Sequence, residues 1–302
     1  MSSRVVRGAG PAAIAAGLAL FLSGCAGGGS VPVSPDARAA IAALASPPSE
    51  LDTAHAIAVR DCLHSAGFEL PFGAAGAARE RAALVGVQGL FASAENAATV
   101  GYETTMRSEP SPIERFEATL SGPEAERFDV AYRGTGDQQE RITLSSGAVI
   151  GRNSDGCRAD ADRAIYGSVS DALLIQSFVN EVNALVGDSL SEISGALEAG
   201  LPEYQTCMSE AGVVVQGLGA EEVALERFGE YRSSGVPPSE AEQTLARTDF
   251  GCQEQAGLAE AVNAKFVDLA SAWIVENEGY ILATDELLRD SLARATELIQ
   301  GS

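Results

Sequence analysis

Residues 60–68 read Arg60-Asp61-Cys62-Leu63-His64-Ser65-Ala66-Gly67-Phe68, and residues 205–213 read Gln205-Thr206-Cys207-Met208-Ser209-Glu210-Ala211-Gly212-Val213. In both, a cysteine is followed by a long apolar residue, two polar or small residues, Ala-Gly and an apolar residue. A second pair of cysteines repeats its setting as well: Asp155-Gly156-Cys157-Arg158 parallels Phe250-Gly251-Cys252-Gln253. At this offset of 95 residues Leu174 falls on Leu269, and Phe178 on Trp273. The pattern reads as an internal duplication. Four cysteines allow three pairings. If each half is one structural unit, Cys62 pairs with Cys157 and Cys207 with Cys252. Closing loops of 95 and 45 residues stabilises by roughly 4 to 5 kcal/mol each as an upper figure. The longer first loop carries an insertion that the second half lacks.

Helical periodicity dominates on either side of these cysteines. Val262, Phe266, Leu269 and Trp273 recur every three to four residues after Leu258. Leu288, Leu292, Ala295 and Ile299 do the same, with Thr284 as a candidate N-cap and Asp285 and Glu286 in the first turn. Leu174, Phe178, Val182 and Leu185 make the corresponding stripe in the first half. Asp188 or Ser189 opens a helix through Ile193 and Leu197, which Pro202 is expected to interrupt or restart. Pro237-Pro238-Ser239 starts a further short helix. One stretch reads as β: Arg141-Ile142-Thr143-Leu144, the turn Ser145-Ser146-Gly147, then Ala148-Val149-Ile150. A lone hairpin is marginal and must pack on helices. Residues 100–123, with Pro110, Pro112 and Pro123, read as a long ordered loop and the first place to seek a binding surface. The expected fold class is therefore mainly α with a small β-hairpin, built of duplicated helical units each stapled by one disulfide. The first unit is 37–187, with the hairpin inserted, and the second is 188–302.

The N-terminus carries an address. Arg4 and Arg7 precede an apolar stretch over residues 11–22, which is shorter than the roughly 20 residues a bilayer span needs and suits a signal-peptide core. It ends in Leu22-Ser23-Gly24-Cys25. This ending resembles the lipobox of bacterial lipoproteins, which implies a signal peptide over 1–24, cleavage between Gly24 and Cys25, and a diacylglyceryl thioether on Cys25. Without an Arg-Arg pair, general secretion is the expected route. Residues 25–36, rich in Gly, Ser and Pro, then serve as lipid anchor and flexible tether.

A second resemblance covers most of the remaining chain. Cys207-Met208, with Ala211-Gly212-Val213, and Gly156-Cys157, with Ala161 and Ile165-Tyr166-Gly167, resemble paired cysteine motifs of secreted actinobacterial proteins. The resemblance implies disulfides and export and carries no activity with it. Leu258 to Val262, in the second half, lacks the Tyr-Gly of that pattern.

Composition narrows the partners. Removing 24 residues from 302 leaves 278, with 46% hydrophobic content in the whole chain, enough for a packed core. The net charge is −22, and −24 once Arg4 and Arg7 are gone. Such a surface repels nucleic acid and anionic lipid, so no nucleic-acid partner is expected. Lys265 is the single lysine among 20 cationic residues, a coding habit that fits a GC-rich, actinobacterial source.

Signatures for chemistry are weak. No Cys-x-x-Cys is present, and Cys62 lies too close to His64 for ordinary zinc spacing. His55 and His64 stand nine residues apart on one helix, so they point to opposite sides and suit a polar surface or a cap near Gly67. Asp61 stands three residues before His64 and could orient it, but no Gly-x-Ser-x-Gly or Ser-x-x-Lys supplies a nucleophile. Gly151 to Asp162 half-imitates a calcium loop and lacks the first carboxylate, so it reads as an Asp-Gly turn entering a helix. Glu221, Glu222, Glu226 and Glu230 read as a solvated helix face, and Trp273 as core. No catalytic residue, metal or cofactor is expected. The expected role is a membrane-anchored extracytoplasmic lipoprotein that binds an envelope protein or cell-wall component without catalysis. Alternatives are a solute-binding protein, whose folds usually alternate strands and helices, and an envelope hydrolase.

Overall fold

The computed structural model describes residues 31–70, 83–84, 86–102, 106–107, 110–229, 232–233 and 236–301. In chain order they form α1 (Pro35–Ala45), α2 (Ser49–Ser65), α3 (Ala94–Val100), β1 (Met106–Arg107), α4 (Pro112–Glu117), α5 (Gly122–Arg133), β2 (Gln139–Thr143) and β3 (Val149–Asn153). There follow α6 (Gly156–Tyr166), α7 (Val169–Leu185), α8 (Leu190–Glu210), α9 (Glu221–Phe228), β4 (Arg232–Ser233), α10 (Glu240–Gln255), α11 (Leu258–Glu276) and α12 (Glu278–Gly301). The fold is mainly α with one antiparallel hairpin, β2–β3, and two disulfides. These join Cys62 to Cys157 and Cys207 to Cys252, each with its Cα atoms 5.5 Å apart. Among the described residues no helix is long and apolar enough to cross a membrane. Cys25 lies outside the described residues.

The first cysteine motif of each half builds the same helix end. At the end of α2, Gly67 N donates to His64 O and Phe68 N to Leu63 O; at the end of α8, Gly212 N donates to Ser209 O and Val213 N to Met208 O, all at 2.9–3.0 Å. This is the paired bonding of a Schellman cap, and it comes with the expected apolar contact across the turn: Leu63 and Phe68 are buried, as are Met208 and Val213. Gly67 and Gly212 have φ of 89° and 79°, the left-handed region that an L side chain disfavours. The second motif differs. Cys157 lies in the first turn of α6, whereas Cys252 lies in the last turn of α10, so the shared string there enters one helix and leaves the other.

The largest core draws on both sides of residue 187. Ile41 and Leu44 of α1, Leu51 of α2 and Phe178 of α7 are buried with Phe266 and Ile274 of α11 and Ile281 and Leu288 of α12. A second core joins Tyr102, just after α3, to Tyr204 and Met208 of α8, Ala224 of α9 and Leu245 of α10. A third gathers Val59 and Leu63 of α2, Phe68, Phe128 of α5 and Ala161 of α6 around Cys157. The hairpin docks as required. Ile142 and Ile150 pack on Ala159, Val169 and Leu173. At its tip, buried Glu181 accepts from Ser145 N and Oγ and from Tyr280 Oη at 2.9 Å.

Several local expectations are corrected. Thr284 is no N-cap: α12 already begins at Glu278, and buried Thr284 Oγ1 donates to Tyr280 O, four residues back, at 2.9 Å. Ile281 extends the apolar stripe upstream, which outweighs the capping signal. Pro202 does not break α8. Ile193, Tyr204 and Met208 on that helix are buried, and their packing outweighs the roughly 3 kcal/mol that an internal proline costs. The short helix expected after Ser239 runs sixteen residues, with Ser239 Oγ accepting from Glu242 N at 3.2 Å. The loop expected over 100–123 contains α4 and the start of α5, each with proline in its first turn. β1 and β4 pair in parallel, Met106 with Arg232 and Arg107 with Ser233. Trp273 is only partly buried on the main core, and its Nε1 donates to Ser145 Oγ at 3.1 Å. The tether expected over 25–36 is docked in its last part: Val33 is buried, Val31 N donates to Ser271 Oγ at 3.3 Å, and Ser34 Oγ donates to Glu278.

A Cβ at Gly212 or Gly67 would meet nothing within 4 Å, so Gly67→Ala and Gly212→Ala isolate the conformational cost. Each should lower stability by about 1 kcal/mol, read as a lower urea midpoint with unchanged slope.

Candidate functional site

The residues singled out by sequence fall into structural roles or stay apart. Cys62, Cys157, Cys207 and Cys252 are consumed in disulfides. His64 pairs with Glu69 at 2.9 Å on the surface, while Asp61 accepts from Arg60, so Asp61 does not orient His64. His55 is not merely surface: its Nε2 lies 3.2 Å from Oδ1 of Asp162, which is fully buried. Asp162, the last position of the half-imitated calcium loop, takes its other contact from Arg152 Nη1 at 2.5 Å. Asp155 instead stands at the N-cap position of α6, where its side chain makes no bond to the helix and accepts from Thr135 N and Oγ1, both at 2.8 Å. Glu222 and Glu226 are exposed on α9, Glu221 is half-buried, and Glu230 lies outside the described residues.

What the sequence reading missed is a gathering of arginines. Arg133 at the end of α5, Arg152 on β3 and Arg158 in α6 line one cleft of about 290 Å³ with Gln139, Gly151, Asn153 and Leu173. The hairpin supplies one wall and the start of α6 the other. Asn153 Nδ2 donates to Arg133 O at 2.7 Å and so ties the end of α5 to β3. Two of the three guanidiniums are engaged. Arg133 forks onto Glu117, with Nη1 to Oε1 at 3.1 Å and Nη2 to Oε2 at 2.9 Å, and also meets Asp129. Arg152 spans Asp162 and Gln176 Oε1, the latter at 2.7 Å. Arg158 has neither hydrogen bond nor ion pair among the described residues. Burial first, and then repulsion from Arg152, hold its guanidinium below the ordinary value.

Two carboxylates lie deeper, with opposite electrostatics. Burial pushes Asp162 up, but hydrogen bonds from His55 and Arg152 overcome this and hold it below its ordinary value of 3.8. Asp249 in α10 is wholly buried and accepts from Tyr102 Oη, Tyr204 Oη, Ala220 N and Gln253 Nε2 at 2.8–2.9 Å. Burial keeps it above the ordinary value despite four donors, and burial with the Asp249 charge pushes both phenols up. Four donors saturate the carboxylate, so this cluster holds α3, α8, α9 and α10 together rather than facing a ligand.

No family model, curated protein or solved structure matches the chain. The arginine cleft is therefore weighed on its own geometry. A cleft of this size suits one small charged group, since pockets for larger ligands usually exceed about 300 Å³. Its signal was present in the sequence: residues 133–163 hold five arginines, Arg133, Arg141, Arg152, Arg158 and Arg163, against five acidic residues. That balance sets the segment apart from a chain with net charge −22.

Asp162 generates a test with a definite sign. Its folded value is lowered, so its stabilisation is complete above the unfolded value of 3.8 and is lost as pH falls through the lower folded value. Asp162→Asn should cost on the order of 3 kcal/mol at neutral pH by leaving Arg152 without its charge partner. The gap to the parent protein should narrow as pH drops below 3.8, as followed by denaturant midpoints across pH.

Proposed function

We propose that this chain is a membrane-anchored extracytoplasmic lipoprotein, held by lipid on Cys25. Its folded part acts as a non-enzymatic binding or interaction module of the cell envelope. The observation that carries this reading is the pair of disulfides, Cys62–Cys157 and Cys207–Cys252. Such bonds persist outside the cytoplasm and are rare within it, so they call for export. The Leu22-Ser23-Gly24-Cys25 sequence supplies the route and leaves the fifth cysteine for the anchor. A fold whose Cys157 and Cys252 are buried beside core residues suits a rigid platform held in an exposed and variable setting. The membrane is one partner through acylated Cys25; an envelope protein or cell-wall component is the other.

Mass analysis of the membrane fraction tests the anchor. The expected result is a protein beginning at Cys25 with an added diacylglyceryl mass, and a Cys25→Ser variant that appears in the soluble exported fraction. An exported parent protein with an unmodified Cys25 would refute the anchor.

A further inference from the structure

Cations are scarce in this chain, 20 Lys and Arg against 42 Asp and Glu, and three arginines line a single cleft. The placement of Arg158 is unfavourable on three counts. It is half-buried, and burial and Arg152 both oppose its charge. It makes neither hydrogen bond nor ion pair among the described residues, and the more distant attraction of Tyr132 and Asp162 does not offset burial and Arg152. It also sits in the first turn of α6, an eleven-residue helix with no acidic residue there, where the backbone N–H groups already present positive charge. A buried cation normally finds a counter-charge. The surrounding chain offers plenty of carboxylates, yet Glu117, Asp129 and Asp162 are taken by Arg133 and Arg152.

From this geometry we propose that the cleft between β3 and α6 is an oxyanion site of the phosphate class, with Arg158 as its principal ligand. A guanidinium fork matches two phosphate oxygens at once. Arg152 and Arg133, held in place by Asp162 and Glu117, flank the same space. Gln139 adds a donor: its Oε1 accepts from Arg141 Nη2 at 3.0 Å, which leaves its amide N–H groups available. About 290 Å³ admits a phosphate with a small substituent and no more. The inference deepens the binding-module half of the proposed function and is independent of the anchor. Failure of Cys25 lipidation would leave it untouched, and failure of phosphate binding would leave the anchor untouched.

A free monoester and the diester of a lipid headgroup are the two sources of such a phosphate, and one experiment separates them. The full-length protein in neutral detergent, disulfides intact, is titrated with inorganic phosphate, glycerol phosphate, glycerophosphoglycerol and acetate at matched ionic strength. Calorimetric affinity and thermal midpoint are both read. Phosphate should bind and raise the midpoint, with acetate at least tenfold weaker. Binding of glycerophosphoglycerol as tight as that of the monoester assigns a headgroup source, and weaker binding a free one. Arg158→Gln should abolish the phosphate response while leaving the midpoint in phosphate-free buffer equal or higher, since the substitution removes an uncompensated charge. A phosphate response that persists in Arg158→Gln, or equal binding of acetate, overturns the assignment. So does a phosphate-free midpoint that falls in the variant, which would make Arg158 a structural residue.

Discussion

The seating of α12 against the N-terminal helices is the contact on which the rest of the fold depends. Ile281, Leu288 and Ala295 of α12 are buried with Ile41 and Leu44 of α1, Leu51 of α2 and Ile165 of α6. Arg294 Nε reinforces this by donating to Ile165 O at 2.7 Å. A chain whose last helix completes the core of its first is closed by long-range apolar burial, and no local turn or cap can supply that. The third core and the Cys62–Cys157 bond lie immediately behind this surface on α2 and α6. The arginine cleft in turn rests on α6 and on the hairpin that α7 supports. Loosening α12 would therefore reach the cleft through α6, although α12 contributes nothing to its lining.

Three buried carboxylates of this acidic protein are each held by several donors. Asp249 has four donors, Glu181 three, and Asp162 two. Desolvating a carboxylate is tolerable only under such conditions, and each cluster joins elements far apart in sequence. Tyr102 reaches Asp249 across 147 residues, and Tyr280 reaches Glu181 across 99. Arg158 departs from this pattern, with neither hydrogen bond nor ion pair among the described residues, and that is the ground for proposing it as a ligand residue.

Period and cysteine context carried most of the architecture. The stripes through Phe178, Val182, Val262, Phe266 and Leu288 all lie on buried faces. The hairpin over 141–150 appears slightly extended, as Gln139–Thr143 with Val149–Asn153. Both cysteine pairings follow the duplicated contexts. Local signals failed where tertiary burial opposed them. Thr284 carries every mark of a cap and yet lies inside a helix because Ile281 upstream is needed in the core. Pro202 is held inside α8 by the burial of its neighbours. The arginine cleft was hidden for a different reason. Its residues come from α5, β3 and α6, and although the local excess of arginine over 133–163 is visible in the sequence, only the folding of the hairpin onto α6 and α7 brings three of those arginines to a single cleft.

The docking of Val31 to Ser34 onto α11 and α12 has a geometric consequence. If lipid holds Cys25, only residues 25–30 lie between the bilayer and the first docked residue, and six residues can span about 20 Å at most. The mooring point is the junction of α11 and α12, at Ser271 and Glu278. From there the 24 residues of α12 run about 36 Å along the body. The junction of α11 and α12 would therefore lie within about 20 Å of the lipid, so that this end of the molecule stays near the headgroups.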